Sequence, residues 1–303
     1  MAFLTRFAPS PTGPLHLGHA YSALLAHDMA RAEGGQFLLR IEDIDRQRSR
    51  PEWEVQLVDD LSWLGVRWDA EPMRQSGRLD EYQRALDRLW SVDLLYPCTC
   101  TRRDIELALA APQEGVEPAE GPDGPVYPGT CRGRHCGGLP CSRLSRPTDM
   151  HLRLDVGIAI GACELSAPRS ASGSWGLWFS ETGPGHRGAV VTGRDGYRGQ
   201  IGDIVLARKD FGTSYHLSVV LDDAAQGITH VVRGEDLFEA TRVHVLLQKL
   251  LGLPTPVYHH HRLIRDASGK RLAKRDDARA LSKFRAEGAT PGDVRRIVGL
   301  PEA

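Results

Sequence analysis

The sequence predicts an α/β fold with a doubly wound parallel sheet, and three observations indicate it. In the segment 4–19, a short apolar strand runs into a loop rich in proline and glycine, and an amphipathic helix follows. Patterns of strand and helix return at residues 200–265. With 303 residues, 41% of them hydrophobic and 25% charged, the chain can bury one large domain and a smaller insertion. Ligands of such sheets collect at the carboxyl ends of the strands.

The elements follow in order along the chain. The first helix is expected to begin near Leu15 and to bury the apolar side chains of one face, which are Leu17, Ala20, Tyr21, Leu24 and Leu25. A second helix is expected to open at 49–52 with a capping-box pattern and to close at Gly65. The tract 111–138 is too rich in proline and glycine for regular structure. The Gly/Trp-rich run 172–198 receives no functional interpretation.

Composition limits the partners without identifying them. The formal net charge is −1, so an RNA contact would have to come from a local basic patch. The sequence does not begin with the charged and apolar segments of a signal peptide, and it holds no apolar run of about 18 residues. We therefore expect a cytoplasmic protein.

Two short motifs indicate nucleotide chemistry. His16-Leu17-Gly18-His19 lies at the start of the first helix, and Lys270-Arg271-Leu272-Ala273-Lys274-Arg275 lies near the C-terminus. Gly18 permits close approach of a ligand, and the helix start directs N–H groups at a phosphate. His16 and His19, three residues apart, project to the same place, where they can donate to charge growing on a phosphate. Taken alone, the tetrapeptide also fits ordinary capping and surface histidines, and the basic run fits a charged surface loop.

Clustered cysteines indicate a metal site. Zinc prefers four tetrahedral nitrogen or sulfur ligands, and clustered cysteines of a cytosolic enzyme are more often metal ligands than disulfides. From the chemistry alone we expect Cys98, Cys100 and Cys131 with one of three further residues, Cys136, His135 or Cys141. The phenol of Tyr127 lies in the same stretch. Reduced cysteines in a loop are the alternative.

Four motifs in order resemble a known family. Arg6-Phe7-Ala8-Pro9-Ser10-Pro11-Thr12-Gly13 with the HIGH-type tetrapeptide resembles a glutamyl-type class I aminoacyl-tRNA synthetase, as do 41–45, 231–237 and the lysine-rich loop 270–275. The similarity runs from the first residues to about Asp277, with one poorly matching stretch. It implies a class I synthetase Rossmann-type doubly wound sheet. The nucleotide-binding catalytic domain would comprise 1–95 and 200–265, the inserted acceptor-binding-like subdomain 96–199, and the KMSKS-type loop with a short C-terminal helical segment 266–303.

The resemblance also implies site residues. ATP would be bound by His16, Gly18, His19, Arg271 and Lys274, and catalysis would rest on His16, His19 and Lys274. Lys274 matches the second lysine of the KMSKS-type loop. The loop departs from the family pattern twice, since Ala273 stands at its serine position and Arg271 at its first lysine position.

L-glutamate would be bound by Arg6, Ser10, Glu42, Tyr215 and Arg233. The two guanidinium groups can grip carboxylates, Glu42 can take the ammonium, and the two hydroxyls add hydrogen bonds. Which arginine meets which carboxylate stays open. We expect glutamate to be activated and glutamine to be rejected. One structural zinc would be held by Cys98, Cys100, Tyr127 and Cys131, a set implied by the subgroup that lacks an anticodon-binding domain.

The sequence ends 29 residues after Lys274, so we expect no anticodon-binding domain. This pattern resembles a truncated branch of the family that transfers glutamate to queuosine in the anticodon of tRNA(Asp). The implied partners are L-glutamate, ATP with Mg²⁺ and the tRNA(Asp) anticodon stem-loop, and we expect a monomer. The alternatives are a truncated enzyme that charges tRNA(Glu), a glutaminyl enzyme, a simple nucleotidyltransferase and a synthetase-like binding module without catalysis.

Overall fold

The computed structural model describes residues 2–109, 119–137, 139–166, 175–265 and 279–302. Its helices are α1 (Leu17–Ala32), α2 (Pro51–Trp63), α3 (Leu79–Trp90), α4 (Arg102–Leu109), α5 (Val156–Ser166), α6 (Arg194–Gly196), α7 (Tyr215–Ala225), α8 (Phe238–Leu251), α9 (Leu281–Ala286) and α10 (Pro291–Val298). Its strands are β1 (Leu4–Phe7), β2 (Gln36–Ile41), β3 (Met73–Arg74), β4 (Leu95–Cys98), β5 (Glu120–Gly121), β6 (Gly124–Pro125), β7 (His151–Leu154), β8 (Gly176–Glu181), β9 (Gly188–Gly193), β10 (Val205–Ala207), β11 (His230–Gly234) and β12 (Val257–His261).

The central sheet is parallel, as the sequence predicts. β1, β2 and β3 pair in parallel on one side, and β11, β12 and β8 pair in parallel on the other. The two halves meet where the amide of Thr229 donates to the carbonyl of Leu4 over 2.9 Å. The carboxyl ends of β1 and β11 therefore lie side by side where the strand order switches, which is where open α/β sheets bind their ligands.

Helix α1 follows β1, and the loop between them lies at that switch point. Ala20, Tyr21 and Leu24 are buried as predicted, whereas Leu17 and Leu25 are only partly buried. The helix begins at Leu17, two residues later than expected, because His16 is its N-cap in extended conformation.

The capping box predicted for the second helix is wrong. Helix α2 begins at Pro51 after Arg50, which makes no side-chain capping hydrogen bond. Proline is favoured at the first helical position, because its fixed φ fits the helix and the N–H that it lacks would have no intrahelical acceptor there. Gly65 ends the turn after α2 in the left-handed region, with φ of 81°, as predicted.

Two strand assignments differ from those expected near the edges of the insertion. β10, expected in the catalytic sheet, pairs with β7, which pairs with β4, so these three form a separate antiparallel sheet. Conversely, the Gly/Trp-rich run contributes β8 to the parallel sheet, with β9 as its antiparallel edge. Periodicity shows where a strand lies but not which strand it joins. The division of the chain into 1–95, 96–199, 200–265 and 266–303 stays a prediction.

The C-terminal helices pack along α1, near its start and in its C-terminal half. The amide of Leu281 donates to the carbonyl of Leu15 over 2.8 Å, and Arg295 of α10 makes two hydrogen bonds of 2.8 Å to Asp28 of α1. Among the described residues, no helix is both long and apolar enough to cross a membrane.

Candidate active site

A cavity of about 570 Å³ opens at the carboxyl ends of β1, β2 and β11. Eight residues predicted to bind glutamate or ATP line it together: Arg6, Ser10, His16, Gly18, His19, Glu42, Tyr215 and Arg233. They come from segments up to about 230 residues apart, and strand order alone brings them to one edge. Their individual roles stay predictions.

The two histidines of the tetrapeptide cap helix α1 and face each other. His16 Nδ1 accepts from the amide of Gly18 over 3.1 Å, and His19 Nδ1 accepts from the amide of His16 over 3.2 Å. Their ring centroids lie 3.8 Å apart. Because both Nδ1 atoms accept, each neutral ring carries its proton on Nε2. The rings are thus both caps and hydrogen-bond donors, so the two interpretations of this motif are compatible.

Glycine at position 18 suits that cap. A Cβ at Gly18 would lie 3.0 Å from Cε1 of His16, tighter than ordinary contact. The glycine therefore makes room for the His16 ring over the first turn of the helix.

The lysine-rich loop lies outside the described residues, and with it Arg271, Ala273 and Lys274. Its two flanks reach the cavity. Leu263 and Ile264 line the cavity before the loop, and Ala280 forms a β-bridge with His16 after it.

Arg6 is held by an ion pair that the sequence did not predict. Its Nε donates to Asp223 Oδ1 over 2.8 Å, and Arg40 NH1 donates to the same oxygen over 2.6 Å. Burial opposes ionisation of Asp223, but Arg6 and Arg40 outweigh it and lower its pKa. Arg40 stands inside the apolar run of β2, and this position is the sequence signal that its charge needs a buried partner.

Glu42 lies at the end of β2, where Arg40 NH2 contacts its Oε1 at 3.3 Å. Burial raises the pKa of Glu42, although Arg40 and Arg6 oppose that shift. A cation in the cavity would favour the ionised carboxylate. Tyr215 opens α7 nearby, and burial raises the pKa of its phenol, which keeps it a neutral hydrogen-bond donor.

Arg233 has neutral partners instead. Its guanidinium donates to His260 Nε2 at 3.1 Å, His244 Nδ1 at 3.2 Å and Thr241 Oγ1 at 2.7 Å. Among the described residues, no carboxylate forms an ion pair with it. The positive charge of Arg233 is therefore less compensated locally than that of Arg6. Sequence reasoning missed both histidines, because nothing in the local pattern marks a buried acceptor.

Three predicted metal ligands cluster in the insertion. The thiol sulfurs of Cys98, Cys100 and Cys131 all lie within 4.8 Å of one another. The Tyr127 hydroxyl lies 3.5 Å from Cys98 Sγ and 3.3 Å from Cys100 Sγ. In a tetrahedral zinc site with ordinary bond lengths, a sulfur and an oxygen ligand are about 3.5 Å apart. The four side chains thus fit one zinc ion.

The surplus cysteines are not arranged as ligands. Cys136 and Cys141 form a disulfide with each other, so neither replaces Tyr127, and the expectation of metal ligands over disulfides is wrong for this pair. His135 is close enough to hydrogen-bond Cys131. Burial raises the pKa of Cys131, but hydrogen bonds from Tyr127, Thr99 and His135 outweigh it and lower the pKa to about 5.

Arg153 of β7 supports the cysteine cluster. Its guanidinium lies 3.8 Å from the ring centroid of Tyr127, and its Nε donates to Cys98 Sγ over 3.3 Å. A cation at this place offsets negative charge on thiolate and phenolate ligands.

Comparison with known proteins identifies the family of the chain. The family model "tRNA synthetases class I (E and Q), catalytic domain" matches residues 2–120 and 187–300. The structure is similar to that of a glutamate-tRNA synthetase from Elizabethkingia anophelis, with a TM-score of 0.72 and 25% identity. The match covers 98% of this chain but only 61% of that one. A glutamate tRNA ligase from Elizabethkingia meningosepticum in complex with its amino acid gives a TM-score of 0.71 and 26% identity, with 98% and 60% of the two chains covered.

Curated relatives match over nearly the whole length. A glutamyl-Q tRNA(Asp) synthetase from Rhodobacter capsulatus is 61% identical over 98% of this chain and 100% of its own. Another from Symbiobacterium thermophilum is 39% identical over 95% of this chain and 83% of its own. The chain therefore belongs to the class I tRNA synthetases of the E and Q type and, within them, to the family of the glutamyl-Q tRNA(Asp) synthetases.

Proposed function

We propose that this protein is a ligase that activates L-glutamate with ATP to glutamyl-adenylate and transfers the glutamate to queuosine in the anticodon of tRNA(Asp). One observation carries the proposal. All eight described residues that the sequence predicts to bind glutamate or ATP line the same cavity. The name shared by the curated relatives supports the choice of acceptor.

Glutamate is bound by Arg6, Ser10, Glu42, Tyr215 and Arg233. Arg6 and Arg233 face its carboxylates, and Glu42 takes its ammonium. Asp223 already offsets much of the charge of Arg6, whereas Arg233 has neutral partners. A substrate carboxylate should therefore gain more electrostatic stabilisation from Arg233 than from Arg6. Glutamine is rejected because its amide would leave a buried guanidinium charge without a counter-ion.

ATP is bound over the start of α1. An oxygen of the glutamate α-carboxylate attacks the α-phosphorus, the bond to the bridging oxygen breaks, and pyrophosphate leaves. His16 and His19 donate Nε2–H hydrogen bonds to the negative charge that develops, and the helix N-terminus adds backbone N–H groups. Lys274 and Arg271, with Mg²⁺, would stabilise the departing pyrophosphate.

One zinc ion is held by Cys98, Cys100, Tyr127 and Cys131. Four protein ligands leave no open coordination position, so the metal is structural and ties the segment that carries Tyr127 and Cys131 to the end of β4. We infer a cytoplasmic, monomeric enzyme.

Transfer forms an ester. A hydroxyl of the cyclopentene-diol of queuosine attacks the carbonyl carbon of the adenylate, and AMP leaves with the bonding electrons. RNA binding rests on phosphate contacts from local Lys and Arg, such as Arg208 at the cavity, and it should weaken as salt rises. The likeness to glutamate-tRNA synthetase structures favours tRNA(Glu) as the second candidate acceptor.

Two assays test the proposal. Pyrophosphate exchange should require glutamate, should proceed without RNA and should be at least about a thousandfold slower with glutamine. Labelled glutamate should attach to tRNA(Asp) that carries queuosine and not to the same tRNA without it. Equal labelling of both preparations, or labelling of the terminal adenosine of tRNA(Glu), would show that the acceptor is wrong. Absence of exchange would favour the non-catalytic binding module.

A further inference from the structure

Two buried histidines contact Arg233, and a third contacts one of them. His260 of β12 is the register partner of Arg233 in the parallel sheet, and its ring lies between Arg233 and Glu181. His244 of α8 lies between Arg233 and His216 of α7. All five side chains are at most about 7% exposed.

A carboxylate fixes the proton on the first ring. Glu181 Oε2 lies 2.5 Å from His260 Nδ1, and Glu181 Oε1 accepts from the backbone amide of His260 over 3.0 Å. A carboxylate only accepts, so Nδ1 carries the proton. The lone pair of Nε2 then faces Arg233.

A second carboxylate fixes two further rings. Asp123, in the turn between β5 and β6, accepts from His216 Nε2 over 3.0 Å. His216 Nδ1 is then the acceptor for His244 Nε2–H over 3.1 Å. His244 therefore presents the lone pair of its Nδ1 to NH1 of Arg233.

These rings leave Arg233 charged and oriented. Burial lowers the pKa of both His244 and His260, and the charge of Arg233 adds to that effect, so both are neutral acceptors at neutral pH. Together with the Leu237 carbonyl and Thr241, the two rings accept from four of the five guanidinium N–H groups. Within the described residues, one N–H of NH1 has no acceptor. Because Arg233 lines the cavity, this N–H is available to a ligand there.

We propose that His244 and His260 are positioning residues that hold Arg233, as neutral acceptors, with its remaining N–H toward the substrate carboxylate, and that Asp123 of the insertion sets this arrangement through His216. The inference rests on the proposed function, since it concerns the affinity of the same site for glutamate. A carboxylate in place of either ring would bind Arg233 more strongly but would neutralise the charge that selects glutamate.

The two rings use opposite nitrogens, which gives a sharp test. Asparagine places its amide oxygen near the position of Nδ1, and glutamine places its oxygen near that of Nε2. His244→Asn and His260→Gln thus retain an acceptor for Arg233, whereas His244→Gln and His260→Asn do not. Hydrogen bonds to charged groups are stronger than those between neutral groups, so loss of an acceptor that orients Arg233 should raise the KM for glutamate by about tenfold.

The experiment measures the KM of glutamate and of ATP by pyrophosphate exchange for the four variants. We expect His244→Asn and His260→Gln to stay within about threefold of wild type in the KM for glutamate, and the other two to rise by about tenfold, with the KM for ATP unchanged in all four. An unchanged KM for ATP also shows that a variant is folded. If glutamine is better tolerated than asparagine at both positions, as side-chain volume alone would give, the positioning role is overturned.

Asp123→Ala tests the link to the insertion. The Asp123 side chain is 56% exposed, so its removal leaves the core intact. We expect a severalfold rise in the KM for glutamate with no change for ATP, and a wild-type value would overturn this link. Failure of the proposed function is distinguishable, because wild-type protein would then show no glutamate-dependent exchange at all.

Discussion

The substitution Asp223→Asn would remove the negative charge that two buried arginines share. Asp223 has a side chain 8% exposed and accepts from Arg6 at 2.8 Å and from Arg40 at 2.6 Å. In the variant, the described part of the chain would leave Glu42, 3.3 Å from Arg40, as the nearest counter-ion. Removing one partner of a buried ion pair typically costs about 3–5 kcal/mol, because the remaining charge stays buried without compensation. We expect a loss of that size in the free energy of unfolding.

The matched control is Asp87→Asn. Asp87 also pairs with an arginine, at 2.6 Å, but its side chain is 62% exposed. Water screens such a pair, so the control should lose less than about 1 kcal/mol.

The effect of pH follows from the sign of the pKa shift. The two arginines hold the pKa of Asp223 below its usual value against the effect of burial. Its stabilisation is therefore full above the unfolded pKa of about 3.9 and is lost as the pH falls through the lower folded value. Urea denaturation followed by circular dichroism should show the full difference between wild type and Asp223→Asn at pH 7 and a smaller one below about pH 4. A loss equal to that of the control, or one that acid does not reduce, would contradict this account of the site.

Three further predictions concern the rest of the molecule. Elemental analysis should find no stoichiometric zinc in Cys100→Ser and one zinc per chain in Cys136→Ser, because only the thiol of Cys100 lies in the four-ligand cluster. The opposite result would show that the metal site lies elsewhere. Asp28→Asn should lower the free energy of unfolding by about 1 kcal/mol at pH 7 after allowance for solvent screening. The pKa of Asp28 is lowered to about 2 by Arg295 against the effect of burial, so this contribution should fade as the pH falls from about 4 toward 2 in acid titrations of stability. Gly202→Ala should cost about 2–4 kcal/mol in thermal unfolding, because its φ of 66° and ψ of −167° lie in a region adopted essentially by glycine and a Cβ would lie 2.6 Å from Val126. Gly252→Ala, in the ordinary left-handed region with open space around it, should cost only about 1 kcal/mol, and equal losses would show that neither the backbone region nor the contact matters.

Local sequence was sufficient for the parts of the site that one turn or one strand end creates. His16, Gly18 and His19 share the first turn of a helix, where a spacing of three residues sets their proximity without help from the rest of the chain. Arg6, Glu42 and Arg233 lie at or just beyond the ends of parallel strands, and such ends meet at one edge in any doubly wound sheet. The three clustered cysteines were likewise visible from their spacing and chemistry.

Tertiary packing decided what surrounds those residues. Asp223 lies 217 positions from Arg6, and no local pattern shows that the two meet. The same holds for the pairing of β10 with β7 and for the joining of β8 to β12, since periodicity gives a strand but not its neighbour. The disulfide between Cys136 and Cys141 was not predicted either, because clustered cysteines do not show by themselves which of them pair.

The two arginines show the difference most clearly. From sequence they are equivalent guanidinium groups, and the charge available to a ligand is not defined. Packing places a carboxylate against Arg6 and neutral imidazoles against Arg233. Electrostatic interactions in a buried site depend on distance and desolvation, which exist only after distant segments have come together. The sequence alone thus determined which residue types reach the cavity. The tertiary structure determined which of the two arginines has no carboxylate partner within the described residues, so that its charge is available to the substrate.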